Sequence, residues 1–503
     1  MGLLHPAVRE LLGEAPEIGE DLEELTVSLL QSLIRNACVN CGDGSCEEVT
    51  NIRTLAAFFD KYGIKYQVYH PPHRPNRPSL IAEYHGGTGI GPRVMLGPGH
   101  VDVVPANEKA WDVPPFEARL VGGEVWGRGS LDMLNTVAAQ AVAFACLATS
   151  RLPMRGTLIF CAVSDEEAGG ADGAGFLMNE PKLRDIFRAD YCMTEFGGAT
   201  LPDRYNRPSR TYYHVSGEKG TATINVVCKG RPGHGSLPKS CDNALVKAAE
   251  VVRCLANYWS PTIITPEWRN IMAASDAPWI VRTCLTSAWF APAIIRLLLL
   301  LGHPLGSAAH ASTRLTLSPN HLTGTHKSNV VPGTAVVEVD GRLMPGQDKA
   351  YLIRQLERAL GRRRMASGDY EIRIRHFFPA TTSPVDTPLW KAMEKAGRML
   401  VDGTTFVNGL LTGATDSRFF RHHCGAIAYG TSLFQPELTL DKLMKSIHGD
   451  NERISVASLG ISVQYFVLTI LYMLGAAEEA VTFRKVKAGK DGSLGEKLYI
   501  SLN

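Results

Sequence analysis

Apolar and polar positions follow two rhythms along this chain. Short apolar runs that stop at polar residues or glycine predict strands at Arg93–Leu96, at Gly156–Val163 and from Tyr191. Segments whose apolar residues recur three and four apart predict helices at Leu22–Arg35, from Leu131 onward and from near Ile454. Strands and helices alternating in this way predict an α/β fold.

From about Tyr213 the rhythm changes. TATINVVCKG reads as a strand, Asn243–Tyr258 as a helix, RLTLS and AVVEVDGRLMPG as two strands, Asp348–Gly361 as a helix and YEIRIRH as a strand. Strand, helix, two strands, helix, strand is the order of a ferredoxin-like split βαβ layer. It interrupts the first pattern, so residues 1–212 and 379–503 make one mixed-sheet domain and residues 213–378 an inserted one. Residues 260–312 enlarge the insertion. Within them Thr283–Ala309, which contains WFAPAIIRLLLLLGHPLG, is the one membrane candidate. Pro292, Arg296 and Pro304 interrupt it, and no unbroken apolar stretch approaches the ~20 residues a transmembrane helix needs. The simplest reading is a short buried helix; the other is a greasy lid or partner surface.

Composition narrows the classes of function. A chain of 503 residues makes two or three domain-sized units, and 52 Lys plus Arg against 50 Asp plus Glu give no overall field toward nucleic acid or an anionic membrane. Eleven scattered cysteines do not form a secreted disulfide framework, which points to a reducing cytoplasm. Cys38, Cys41 and Cys46 open like a metal knuckle but lack a fourth ligand at zinc-ribbon spacing, so they read as ordinary thiols. The start, MGLLHPAVRELLGEAPEIGEDLEELTVSLL, lacks the order of a signal peptide, and Pro6 makes the Met-Gly opening a poor acylation site. The tail from Ala476, with FRKVKAGKDG, reads as a solvated basic segment.

The chemistry gathers where apolar runs end. Gly156–Val163 stops at Ser164, Asp165, Glu166 and Glu167, and in open α/β sheets that edge is where ligands bind. Such a cluster suits a cation or a proton-transfer site; it also suits a solvated acidic loop. After Arg93–Leu96 come His100 and Asp102, spaced so that the acid can hold one imidazole nitrogen and leave the other for a metal, although a plain hydrogen-bonded loop has the same pattern. Asp132 falls in the first turn predicted from Leu131, where an acid also complements the helix dipole. Glu195 ends the run from Tyr191, and His448 precedes the helix near Ile454. Two histidines and several carboxylates, all at strand ends or helix starts, suit zinc, cobalt or manganese.

The ordered pieces GHVDVVP, GRGSLDM, SDEEAGG, TEFGG, GHGS, SNVVPG, GATDSR and HGDNERI, between about residues 90 and 455, carry a resemblance. The chain resembles the dinuclear zinc metallopeptidases that include aminoacylase, acetylornithine deacetylase, succinyl-diaminopimelate desuccinylase and glutamate carboxypeptidase. That resemblance implies a catalytic domain of the zinc exopeptidase type and an inserted ferredoxin-like α+β domain serving as lid and dimerisation surface. It implies two divalent ions, most simply zinc, bridged by Asp132. His100 and Glu195 complete one site, Glu167 and His448 the other. Glu166 is the general base, Asp102 supports His100, and Asp165 is a solvated or supporting acid. His234 of GHGS serves the substrate carbonyl, frequently from a partner subunit, and Asn329 and Arg342 grip a carboxylate. The loop of Gly413, Asp416 and Arg418 offers N–H groups to an anionic substrate end. Leu134 stands where the family often has lysine. The implied enzyme is a homodimer or higher homo-oligomer that hydrolyses an N-acyl-amino acid or the terminal bond of a short peptide. A dipeptidase, or a metal-free binding scaffold, is the alternative; some dipeptidase relatives carry Asp where this chain has Glu195.

Overall fold

The structure, a computed structural model, describes residues 8, 21–87, 90–150, 152–203, 205, 207–324, 327–475, 482–486 and 497–501. The first twenty residues, Val8 apart, therefore lie outside it. So does most of the basic tail, in which Thr482–Val486 and Lys497–Ser501 pair as a two-stranded sheet.

The run at 156–163 forms the strand Thr157–Val163, all seven residues of which are buried. It is apolar without alternation because both faces of the sheet are covered. Leu158, Phe160 and Ala162 join the core on one side, with Leu22–Arg35, Leu134–Thr149, Pro388–Leu400 and Val456–Leu474. Ile159, Cys161 and Val163 join the other, with Ala174–Asn179 and Ser417–Cys424. The ten-stranded sheet runs Tyr66–Tyr69, Ser79–His85, Thr157–Val163, Arg93–His100, Tyr191–Thr194, Ile427–Gly430, Thr211–Glu218, Thr381–Thr382, with Thr405–Leu411 and Ala199–Thr200 also on Thr211–Glu218. The four strands from Thr157–Val163 to Ile427–Gly430 are mutually parallel. Their C-terminal ends therefore share one edge, which brings His100, Glu166 and Glu195 together across the sequence.

Three local expectations change. The helix expected from Leu131 begins at Leu134, so Asp132 lies in the loop ahead of it and not in its first turn. Leu134 and Asn135 are buried in that first turn. The strand Thr211–Glu218 belongs to the large sheet, so the chain leaves it at Lys219 and not near residue 213. Val456–Leu474 is long and apolar enough to cross a bilayer, the only such helix among the described residues. Here it is a core helix, packed on Pro388–Leu400 and Leu134–Thr149.

The second sheet is antiparallel, in the order Thr316–Thr323, Thr334–Leu343, Gly220–Lys229, Tyr370–Phe378. Helices Ala244–Ala256 and Lys349–Leu360 cover one face and share its separate core. This is the split βαβ order, with the first and third strands central. Between Ala244–Ala256 and Thr316–Thr323 the chain inserts four short helices, Pro266–Ala274, Trp279–Leu285, Ala291–Leu300 and Pro304–Ser312. They pack around Trp268, Met272, Leu285, Ile295 and Ala309. The short buried helix expected near residue 290 is corrected: Ala291–Leu300 buries only Ala291 and Ile295.

Candidate functional site

His100 ends its strand and is buried, with Nδ1 3.0 Å from the Asp102 backbone oxygen and 3.4 Å from its carboxylate. Asp102 is in turn held by Asn40 Nδ2 at 2.8 Å and the Glu167 N–H at 3.1 Å. These contacts fix the ring so that Nε2 faces inward, 3.1 Å from Asp132 Oδ1 and 3.4 Å from Glu195 Oε2. On the other side of the same carboxylate, His448 Nε2 lies 3.2 Å from Asp132 Oδ2 and 3.3 Å from Glu167 Oε2. Two groups of potential ligands, His100, Asp132, Glu195 and Asp132, Glu167, His448, thus share one aspartate. Glu166 sits beside them, within reach of His100 and Glu167.

The electrostatics describe a place short of positive charge. Burial pushes the Glu195 carboxyl up to about 8, and burial with the Glu195 charge raises Glu166 well above the usual carboxylate range. Burial acts the same way on Asp132, but hydrogen bonds from His100 and His448 hold it well below that range. Hydrogen bonds to Asp132 and Glu167 push His448 up to about 10. Glu167 Oε1 and Glu195 Oε2 are buried without hydrogen-bond partners. Two imidazoles, three carboxylates and these orphaned oxygens fit borderline divalent cations in number and chemistry.

A cavity of about 660 Å³ opens over Asp132, Glu166, Glu167 and His448. Arg342 of the second sheet and Arg418 line it, with Gly413 between them in sequence, and Phe196, Leu411, Met444 and Ile447 form an apolar wall. Arg342 is aimed by Asp340 at 3.0 Å, and Arg418 by the Gly169 carbonyl at 2.7 Å. Asp416 is buried, with both carboxylate oxygens unpartnered and one against Gly170, where a Cβ would meet it at 2.3 Å. His234 is exposed, its Nδ1 2.7 Å from Ser236 Oγ, and its strand pairs with the one that follows Asn329. Neither His234 nor Asn329 lines the cavity of its own chain.

Asp165 is not solvated. It is buried with a left-handed φ of 70° and forms an ion pair with Arg77, which also reaches Glu48 at 3.6 Å and Asn40 at 3.2 Å. Sequence reading missed this set, because Arg77 lies in a proline-rich loop with no motif. It also gave no role to Glu452, although the residue stands in HGDNERI. Glu452 is buried and accepts from the N–H groups of Gly129, Leu131 and Asp132 at 3.1, 2.6 and 3.1 Å and from Arg128 at 2.8 Å. It therefore shapes the loop that presents the shared aspartate.

The model of the family described as peptidase family M20/M25/M40 matches residues 98–472. An N-fatty-acyl-amino acid synthase/hydrolase, PM20D1 of Xenopus tropicalis, is 28% identical over 382 residues, 74% of this chain and 70% of that protein. The crystal structure of an M20 family metallo-carboxypeptidase, Sso-CP2 from Sulfolobus solfataricus, superposes with a TM-score of 0.65 at 18% identity, over 90% of this chain and 99% of that one. The di-peptidase Dug1p from Saccharomyces cerevisiae does so with a TM-score of 0.63 at 16% identity, over 95% and 100%.

Proposed function

The chain belongs to peptidase family M20/M25/M40 and is a metal-dependent amide hydrolase, and from that premise we propose that it cleaves N-acyl-amino acids with Glu166 as general base. The single observation that carries the site is Asp132, whose two oxygens face two separate ligand groups at the floor of one cavity.

His100, Asp132 and Glu195 would hold one divalent ion, and Asp132, Glu167 and His448 a second, with zinc as the native metal. When bound, such a pair polarises an amide carbonyl and acidifies water. The chain's own residues do the rest. Glu166 takes the proton of the attacking water and returns it to the departing amine nitrogen. Arg342 and Arg418 are the cationic side chains on the cavity wall and pair with the substrate carboxylate. Phe196, Leu411, Met444 and Ile447 accept the acyl chain and keep water from it. The fatty-acyl substrate named for the Xenopus relative supports this apolar side. Glu195, in place of the Asp of some dipeptidases, favours a deacylase. The second layer acts as a lid and as a homodimer surface, so that a partner's copy of His234 supplies the carbonyl donor; the exposure of His234 outside its own cavity supports this. Eleven unpaired thiols support a cytoplasmic setting.

The test is a panel of N-acyl-amino acids of increasing chain length, with dipeptides alongside, read by release of free amine. The acyl compounds should be cleaved, longer chains with lower KM. Chelation should abolish turnover until zinc, cobalt or manganese is restored. Cleavage of dipeptides alone would overturn the substrate class, and full activity in protein shown to be metal-free would overturn the site.

A further inference from the structure

The four inserted helices carry an apolar face that the fold leaves uncovered. In Ala291–Leu300 the buried positions Ala291 and Ile295 meet the insertion's own core. On the other side Phe290, Leu297, Leu300 and Leu301 recur at helical spacing, with Leu300 85% and Leu301 71% exposed. Trp289, 91% exposed, and Trp279, 68% exposed, stand at the ends of neighbouring helices. A helix on the surface of a globular protein is polar on its outer side, so one whose outer side is apolar but for a single arginine faces an apolar medium.

We propose that this insertion is a membrane-docking surface that seats on a phospholipid bilayer containing anionic lipid. Three observations select that occupant. Trp and Phe at helix ends beside a leucine face are the residues that partition into the interface between headgroups and acyl chains. The sequence from Ala277 to Val337 contains no Asp or Glu, while the same helices carry Arg282, which donates to the Ala273 carbonyl, and the exposed Arg296, whose guanidinium lies over the Trp259 ring, a charge complementary to anionic headgroups. A second copy is disfavoured by the same charges, because a two-fold contact would bring together two arginines from each chain with a single exposed acid, Asp276, ahead of Trp279.

The surface also connects to the catalytic cavity. Pro266–Ala274 packs on Thr405–Leu411, and Asn270 Nδ2 donates to Asn408 Oδ1 at 2.7 Å. Ile271 and Ala274 join Leu411 and Phe196 in one apolar cluster, and the last two line the cavity wall. An acylated substrate dissolved in the bilayer would thus be taken up beside the acyl side of the site. This clause alone rests on the proposed function; the docking itself is measured without turnover.

The metal-loaded full chain is mixed with vesicles of phosphatidylcholine, with and without phosphatidylserine, and floated through a density gradient. Wild type should float with the phosphatidylserine vesicles. The triple variant Trp289→Ser, Leu300→Gln, Leu301→Gln should partition about tenfold less or weaker still, while hydrolysing a water-soluble short-chain N-acyl-amino acid like wild type. Arg296→Glu should weaken binding to phosphatidylserine vesicles more than to phosphatidylcholine alone. Wild type that stays at the bottom of the gradient, or a triple variant that floats equally well, overturns the proposal. So does a wild type that ignores vesicles and whose mass in light scattering falls only in the triple variant, since the face would then join two copies of the chain.

Discussion

Glu166 and Glu167 are neighbours in one short turn and line the same cavity, but Glu167 lies 3.3 Å from His448 while Glu166 sits within reach of His100. A base and a ligand fail differently when changed. Glu166→Gln should keep two ions per chain and lose turnover by roughly 10²–10⁴-fold. Glu167→Ala should lower the ion count, leaving His100, Asp132 and Glu195 to hold one. Elemental analysis beside turnover separates the two, and the reverse pattern would exchange their roles. Glu452 is the other telling residue at this scale. Burial pushes its carboxyl up to about 7 even with Arg128 beside it at 2.8 Å. Removing one partner of a buried pair leaves the other charge unsatisfied, so Glu452→Ala should cost about 3–5 kcal/mol in unfolding. Asp441→Ala, which breaks an exposed pair with Lys445, should cost less than about 1 kcal/mol. Denaturant unfolding of the metal-loaded variants checks both.

Among elements, the crossing from the large sheet to the second layer is held by two adjacent residues that face different partners. Glu218 ends its strand and takes Arg421 Nη1 at 2.6 Å, which anchors it in the main sheet. Lys219 turns the other way, and its Nζ donates to the carbonyls of Ala311 and Arg314 at 2.9 and 2.8 Å, where the chain re-enters the second sheet. Burial lowers the Lys219 amine from about 10.5 to about 7. Between those two values the unfolded chain carries a proton that the folded chain has lost, so stability from this group rises with pH through that window and is least below about 7. Unfolding midpoints measured at pH 7 and pH 9 should show that rise in wild type. Lys219→Met has no proton to lose and should show less of it.

For the whole molecule the question is which chain completes each site. His234 belongs to the second layer, is exposed, and does not line the cavity over its own chain's candidate ligands. In a homodimer built through that layer, each cavity would receive His234 of the partner subunit. His234→Ala should then retain both ions while turnover falls by about 10²–10³-fold, the cost typical of losing one oxyanion donor. Subunit exchange between His234→Ala and Glu166→Gln should regenerate sites with both groups intact. Verified mixed dimers without recovered activity would place His234 in the same chain as the metals it serves.

The sequence by itself determined three of the parallel strands of the central sheet, the acids and the histidine at their ends and the order of motifs that marks the family. It could do so because a buried strand must be apolar along its length, and the chemistry starts where that run stops. Tertiary structure alone decided what lies opposite each side chain. Asp165 reads equally as a solvated or a supporting acid until Arg77, 88 residues away, is folded against it. Glu452 has no role until the loop 320 residues earlier wraps its carboxylate. The apolar stretch near residue 290 reads as core, because periodicity reports that a helix face is apolar and not whether the fold covers it. Pairing, cover and charge balance are properties of contacts between distant segments, and local pattern carries no information about which segments meet.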